Sequence, residues 1–189
     1  MKKLILLSMI VSSSAFAQAK GGAAAGAPAV PAAKPAEAKI VAPPEVAERA
    51  KGMTGTWKCA GKAELGTTTV DIKGTAAHKT DLDGFWIATT LTINAPKETF
   101  HVAMWSTYDA DAKKWYRTGA NSHGGHSTEW GTVSDKKVSW DGDAHYLGKD
   151  VKVRETEEMT SPKEVHIVGE YSTDGAKTWK PDHDVTCKK

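Results

Sequence analysis

Two β-rich runs and the turn between them decide the fold: Phe85-Trp-Ile-Ala-Thr-Thr-Leu-Thr-Ile93, Asn94-Ala-Pro-Lys-Glu98 and Thr99-Phe-His-Val-Ala-Met-Trp-Ser-Thr-Tyr108. Both runs are rich in threonine, β-branched aliphatic and aromatic residues, a composition typical of strands. Pro96 lacks an amide hydrogen and cannot continue a central strand, so the chain turns there. The stretch therefore predicts a β-hairpin.

The alternation of residues in the second run assigns its two faces. Successive side chains of a strand point to opposite faces. One face carries Phe100, Val102, Met104, Ser106 and Tyr108, and the other carries His101, Ala103, Trp105 and Thr107. The first set is more apolar, so we expect it to face the interior and Trp105 to face outward.

Similar runs follow one another through residues 45–189. A short helix is predicted over 45–53, because Pro43 and Pro44 precede it and Gly52 can end it. Strands are predicted near 55–65, 68–79, 85–93, 99–108, 115–121, 126–133, 137–146, 149–159, 164–172 and 178–188. Hairpin links and the need to protect strand edges favour an all-β, up-and-down antiparallel β-barrel of about ten strands; a β-sandwich is the alternative.

The two cysteines bear on closure of the barrel. Cys59 falls in the first predicted strand and Cys187 in the last, and these strands are neighbours in a closed up-and-down barrel. In an exported protein we expect a Cys59–Cys187 disulfide at this seam, stabilising the fold by about 4–5 kcal/mol in the chain-entropy model. Two free thiols or a metal-binding pair are the alternatives, although there is no C-x-x-C and only His183 lies nearby in sequence.

The N-terminal segments point to export. Lys2 and Lys3, an apolar run and a final Ala15-Phe-Ala17 are the three parts of a secretory signal peptide over residues 1–17. Residues 18–44 are rich in alanine, proline and glycine, which predicts a disordered tether. We therefore expect a periplasmic or secreted protein, cleaved near Ala17, with one folded domain over 45–189.

The charge distribution excludes some classes of partner. The 189-residue chain has a formal net charge of +2, but residues 1–44 hold five of its 25 Lys and Arg and one of its 23 Asp and Glu, which leaves about −2 for the folded part. A nucleic-acid-binding domain would concentrate basic residues there, so we expect no nucleic-acid partner. No apolar run reaches the roughly 18 residues of a membrane span.

Four motifs occur in a characteristic order: Met53-Thr-Gly55-Thr-Trp57, Leu82-Asp-Gly-Phe-Trp86, Tyr108-Asp-Ala-Asp-Ala-Lys-Lys-Trp115 and Gly148-Lys-Asp-Val-Lys-Val-Arg-Glu155. The first resembles the G-x-W start of lipocalins. Together, over roughly residues 48–188, they resemble a bacterial family of domains of unknown function with calycin-like (lipocalin-like) barrels. The resemblance implies a ligand cavity but no activity. It also implies structural roles for Gly55, Trp57 and Arg154, with the arginine stacked on Trp57.

Histidines suggest a metal or haem site. His123, His126 and Glu129 have side chains suited to zinc or copper, although the Gly124-Gly125 pair between the histidines more naturally favours a hairpin turn. Some barrels of the calycin-like type bind haem through one histidine, and the resemblance makes His183, His101 or His145 the candidates. No cofactor is assigned from the sequence.

The resemblance makes a binding protein for a small apolar or amphipathic molecule the preferred interpretation, and no G-x-S-x-G or Walker motif is present. Polar groups at the cavity mouth are guessed to be Tyr108, Arg117, His123 and His126, with Trp130 as a further contact. Trp57 is expected in the core. For Trp105, Trp130 and Trp140 the sequence leaves two roles open, lining a cavity or forming an outer binding surface. The alternatives are a metal protein or enzyme built on the 123–126 loop, and an envelope interaction module with a filled core.

Overall fold

The structure, a computed structural model, describes residues 40–146 and 148–189. The predicted signal peptide and most of the predicted tether lie outside the described residues. Within these residues the chain forms one helix, α1 (Pro44–Met53), a single 3-10 turn (Leu82–Gly84) and ten strands. The strands are β1 (Gly55–Leu65), β2 (Thr68–Asp81), β3 (Trp86–Ala95), β4 (Glu98–Asp109), β5 (Lys114–Asn121), β6 (His126–Ser134), β7 (Lys137–Tyr146), β8 (Lys149–Ser161), β9 (Glu164–Ser172) and β10 (Lys180–Lys188).

The ten strands form a closed barrel in which each strand is antiparallel to both neighbours. Consecutive strands pair, and β1 closes the ring by pairing with β10. The predicted up-and-down barrel is therefore confirmed, and the β-sandwich alternative is wrong. Closure removes the free edges that ten antiparallel strands would otherwise expose.

A disulfide joins the two ends of the barrel sheet. Cys59 of β1 and Cys187 of β10 are register partners, and their sulfur atoms are bonded. The predicted disulfide is therefore confirmed. Because 128 positions separate the two cysteines, the bond closes almost the whole domain into one loop.

One end of the barrel, which we call the closed end, is covered by α1. Val46 and Ala50 lie on one face of the helix and are buried against inward-facing side chains of the barrel. Trp57 donates a hydrogen bond from Nε1 to the backbone oxygen of Met53, at 2.7 Å, which ties the end of α1 to β1. The residues buried with α1 are Ile87, Trp115, Val138 and Trp140.

The other end, which we call the open end, carries the remaining turns. The longest of these is the β9–β10 loop, where Asp174 accepts hydrogen bonds from the backbone amides of Lys177 and Thr178, at 3.1 and 3.0 Å. These bonds delay the start of β10 to Lys180, two residues later than the sequence predicts. Among the described residues, no helix is long and apolar enough to cross a bilayer.

Candidate functional site

The barrel lumen changes character from the closed end to the open end. Near α1 the largest inward-facing side chains are buried, and Trp57 and Trp140 are 0% and 1% exposed. Leu91, Ile167 and Val185 pack against the core around Trp57. Towards the open end, most inward-facing apolar side chains are only half-buried, with Ile72 as a buried exception. The half-buried residues are Ile93, Phe100, Val102 and Met104 on β3 and β4, and Val151 and Val153 on β8. The open half of the lumen therefore leaves part of its apolar wall exposed to solvent.

A charged network forms the floor of this open half. Arg117, on β5, is 6% exposed and contacts three carboxylates. It donates to Glu155 at 2.7 Å and to Glu157 at 3.1 Å, and it forms an ion pair with its register partner Glu129. Burial alone would lower the pKa of Arg117, but the charges of Glu155, Glu129 and Glu157 raise it, so the guanidinium stays charged.

The floor network is tied to both ends of the barrel. At the closed end, Arg49 of α1 forms an ion pair with Glu157, and Trp140 donates from Nε1 to the same carboxylate at 3.0 Å. The Arg117 guanidinium also lies over the Trp140 ring, 4.4 Å from its centroid. The Glu157 carboxylate and the Arg117 guanidinium thus connect α1, β5, β7 and β8, so the floor is rigidly held.

On the open side, the network continues to His183 of β10. The imidazole hydrogen-bonds Glu155 through Nε2 at 3.1 Å and Asp182 through Nδ1 at 2.8 Å. Burial alone would lower the pKa of His183, but these two hydrogen bonds raise it to about 10. Burial alone would likewise raise the pKa of Glu155, but the Arg117 charge and the His183 hydrogen bond lower it to about 2. At neutral pH, His183 is a cation between two carboxylates.

Inward-facing glycines make room for these large side chains. A Cβ added at Gly131 would lie 2.7 Å from the Trp140 ring, and one added at Gly169 would lie 2.2 Å from the His183 ring. Both contacts are too close for any side chain. The bulky tryptophan and the charged histidine therefore depend on glycine at their register partners.

A groove lies at the closed end, between α1 and inward-facing side chains of the barrel. It has a volume of about 440 Å³. Apolar side chains including Met53, Val133 and Met159 line it, with Arg49 and Glu157 also on its wall and Glu45, Glu48, Asp135 and Lys136 supplying further charged groups. The groove approaches the floor network from the side of the helix.

The structure separates the residues predicted for the cavity mouth. Tyr108 and Arg117 face inward, but Tyr108 packs in the closed-end core and Arg117 lies in the floor. His123 lies at the open rim, with Nε2 3.3 Å from Glu98 Oε2 and its ring against Phe100. His126 and Trp130 face outward on β6. The prediction that His126 lies at a cavity mouth is therefore wrong, and of the two roles left open for Trp130 the outer-surface role is the one that its position fits.

The predicted metal ligands are also split by the barrel wall. His126 faces outward and stacks on His145, with ring centroids 5.4 Å apart, whereas Glu129 faces inward and pairs with Arg117. Residues three apart in a strand lie on opposite faces, so these two cannot share an ion. Within residues 40–146 and 148–189, no three His, Cys, Asp or Glu residues are grouped to hold a metal.

The haem candidates do not fit a haem site either. His101 and His145 lie on outward-facing positions of β4 and β7. His183 faces the lumen, but both of its ring nitrogens are engaged by carboxylates and its raised pKa keeps it protonated. An imidazole binds iron through an unprotonated nitrogen, which His183 does not offer.

The other tryptophans differ in part from expectation. Arg154 does not stack on Trp57 as predicted; it faces outward, with its guanidinium 4.3 Å from the Trp179 ring centroid. The cation nearest Trp57 is Lys189, 5.7 Å from the ring centroid. Trp57 lies in the core and Trp105 on the outer face, as expected, and Trp140 belongs to the core.

Sequence reasoning missed Glu155, Glu157 and the lumen position of His183. A signal for the glutamates was present. On β8, Val151, Val153, Glu155, Glu157 and Met159 share the inward face, so two carboxylates interrupt an apolar row. Buried carboxylates need cationic partners, which marks them as members of an internal network.

Comparisons with known proteins agree with this architecture. The chain resembles the crystal structure of Rv2717c from M. tuberculosis, with 9% sequence identity and a TM-score of 0.60 over 76% of this chain and 96% of that chain. At this identity the likeness concerns the fold alone. Curated proteins give no significant match. A family model described as "Protein of unknown function (DUF1579)" matches residues 45–182, which include α1 and nearly all of the barrel, and the chain therefore belongs to the DUF1579 family.

Proposed function

We propose that this protein binds a small apolar or amphipathic molecule in the open half of its barrel lumen. One observation carries the proposal: the inward-facing apolar side chains of Ile93, Val102 and Val153 are half-buried, whereas Ile87, Val138 and Trp140 near α1 are fully buried. Covering such walls with a ligand removes apolar surface from water, which is favourable by about 25 cal/mol per Å². A few polar groups, here the floor network, would orient the bound molecule.

We also propose that the protein acts after export, in the periplasm or outside the cell. Residues 1–17 have the pattern of a signal peptide, and the Cys59–Cys187 disulfide is compatible with an oxidising compartment. Mass spectrometry of the protein isolated from its own cells tests this. The proposal predicts a mature chain that begins near Gln18, and a chain that still begins at Met1 would contradict it.

The lumen is tested by binding of Nile red, an uncharged apolar dye, to two matched variants. Val102 and Ala103 are neighbours on β4, but Val102 faces the lumen and Ala103 the outside. We expect Val102→Trp to fill the lumen and weaken dye binding by about tenfold, because the dye would have to displace a buried aromatic side chain. Ala103→Trp adds the same side chain on the outer face and should leave binding within about twofold, since it does not enter the lumen.

A second candidate function is supported by the outer surface. Tyr116 and Trp130 are register partners with ring centroids 5.1 Å apart, and Trp86 lies next to Tyr116 at 6.3 Å. With Trp130 42% exposed, this outward aromatic cluster has the composition of an interaction surface. The dye assay separates the two functions. Loss of dye binding in Trp130→Ala, together with unchanged binding in Val102→Trp, would favour the surface over the lumen.

A further inference from the structure

We infer that the lumen selects amphiphiles with an uncharged polar group, such as a hydroxyl or carbonyl, over both carboxylates and amines. This inference rests on the proposed ligand-binding function and names the chemical class of the ligand. It follows from how the charged groups of the floor are already paired.

The cations of the floor network are all occupied by the protein's own carboxylates. Arg117 contacts Glu129, Glu155 and Glu157, and Arg49 contacts Glu157. His183 lies between Glu155 and Asp182. A ligand carboxylate at this floor would be desolvated as a fourth acid around Arg117, with no free cation in the network to receive it.

The glutamate oxygens of the network are occupied as well. Glu155 accepts hydrogen bonds from Arg117 on Oε1 and from His183 on Oε2. Glu157 accepts from Arg117 and Trp140 on Oε1 and from Arg49 on Oε2. Glu129 accepts from Ser127 on Oε1 and from Arg117 on Oε2. A protonated amine has only donors, so it cannot accept from the floor and would compete with Arg117, Arg49 and His183 for glutamate oxygens that are already engaged.

One donor in the floor has no partner. Within the described residues, the Nε of Arg117 is the single buried side-chain nitrogen or oxygen that has no hydrogen-bond partner. Arg117 as a whole is 6% exposed. A buried donor without an acceptor is unfavourable, because it has lost its hydrogen bond to water without gaining another. Ser106, the register partner of Arg117 on β4, faces inward and is half-buried, so it extends this polar spot to the accessible wall.

An uncharged acceptor fits these constraints where ions do not. A hydroxyl or carbonyl oxygen can accept a hydrogen bond at this spot without adding a charge to the floor. Its apolar chain would then lie along the half-buried side chains of β3, β4 and β8, which lead to the open end.

Displacement of Nile red by three amphiphiles with the same chain tests the inference: dodecanol, dodecanoate and dodecylammonium, on the full mature protein at neutral pH. We expect dodecanol to bind at least about tenfold more tightly than either ion, as is typical when an ion loses its hydration without a partner. If Nile red binds the protein and dodecanoate or dodecylammonium displaces it at least as well as dodecanol does, this inference is overturned and the proposed function stays intact. Failure of Nile red and all three amphiphiles to bind would overturn both.

A charge variant provides an independent check. Glu155→Gln removes one of the negative charges that engage Arg117 and His183, so the ratio of dodecanoate to dodecanol affinity should rise by about tenfold. The matched control is Glu158→Gln, on the outward face of the same strand, which should leave the ratio unchanged. An unchanged ratio in folded Glu155→Gln would contradict the inference. If that variant does not fold, the three-ligand comparison on the unaltered protein decides the question alone.

Discussion

The closed end and the open end of this barrel are built from the same ten strands but filled in opposite ways. At the closed end, α1 and three tryptophans exclude solvent: Trp57, Trp115 and Trp140 are at most 3% exposed. At the open end, the walls are apolar, but nothing among the described residues covers them. The charged network around Arg117 lies between the two. The comparison shows that a single barrel can concentrate its stability at one end and leave the other available for a ligand.

The largest expected effect comes from the residue at the boundary of the two halves. Arg117→Met should destabilise the protein by at least about 5 kcal/mol, because three inward glutamates lose their shared cation. Arg154→Met is the matched control: Arg154 pairs with Glu170 on the outer face, and such exposed pairs contribute about 0–1 kcal/mol. Urea unfolding at neutral pH measures both. Similar losses in the two variants would show that the floor network is not a structural element.

The disulfide should matter nearly as much. Replacing Cys59 and Cys187 with alanine removes a link across 128 positions, which in the chain-entropy model destabilises the fold by about 4–5 kcal/mol. The two residues sit at the β1–β10 seam, so the loss affects closure of the whole barrel. Thermal unfolding with and without reductant provides the measurement. A reduced protein that unfolds at the same temperature as the oxidised one would contradict the expected role.

A smaller effect tests the packing of the closed end. Gly131→Ala places a Cβ 2.7 Å from the Trp140 ring, and such overpacking is unfavourable by about 1–3 kcal/mol. Gly52→Ala is the control, since a Cβ there meets nothing within 4 Å and the residue lies in a helix. We expect the control to be neutral or slightly stabilising in chemical denaturation. If Gly131→Ala were also neutral, the closed end would be less tightly packed than described.

The last expected effect, which is small per pH unit, is a dependence of stability on pH. His183 has a pKa of about 10 in the folded protein, against an ordinary 6.5, so its stabilisation is complete below about 6.5 and is lost as pH rises towards 10. The free energy of unfolding should therefore decline by up to about 1.4 kcal/mol per pH unit across this window. His183→Gln should flatten the decline, and His145→Gln, on the outer face, should not. A decline of the same slope in His183→Gln would assign the effect to other groups.

Residue composition and turn residues predicted the strands and the closed topology, the positions of the two cysteines predicted the seam disulfide, and alternation of residue types predicted the inward face of β4. Alternation did not predict the floor network, because the partners of Arg117 lie 12, 38 and 40 positions away and meet only through the register of other strands. The same alternation should have excluded the metal site. His126 and Glu129 are an odd number of positions apart in one strand, so they face opposite sides of the sheet. The stacking of Arg154 was likewise inferred from a motif and not from the face on which the residue lies.

The central claim, that ligand binds in the open half of the lumen, is tested most directly by methyl NMR during titration with dodecanol. Ile93 and Val102 report on the open half, Ile87 on the closed-end core, and Met53 and Met159 on the groove beside α1. We predict that the methyl signals of Ile93 and Val102 shift with saturation while those of Ile87, Met53 and Met159 stay in place. Shifts confined to Met53 and Met159, or no shift at any of these methyl groups, would contradict the account.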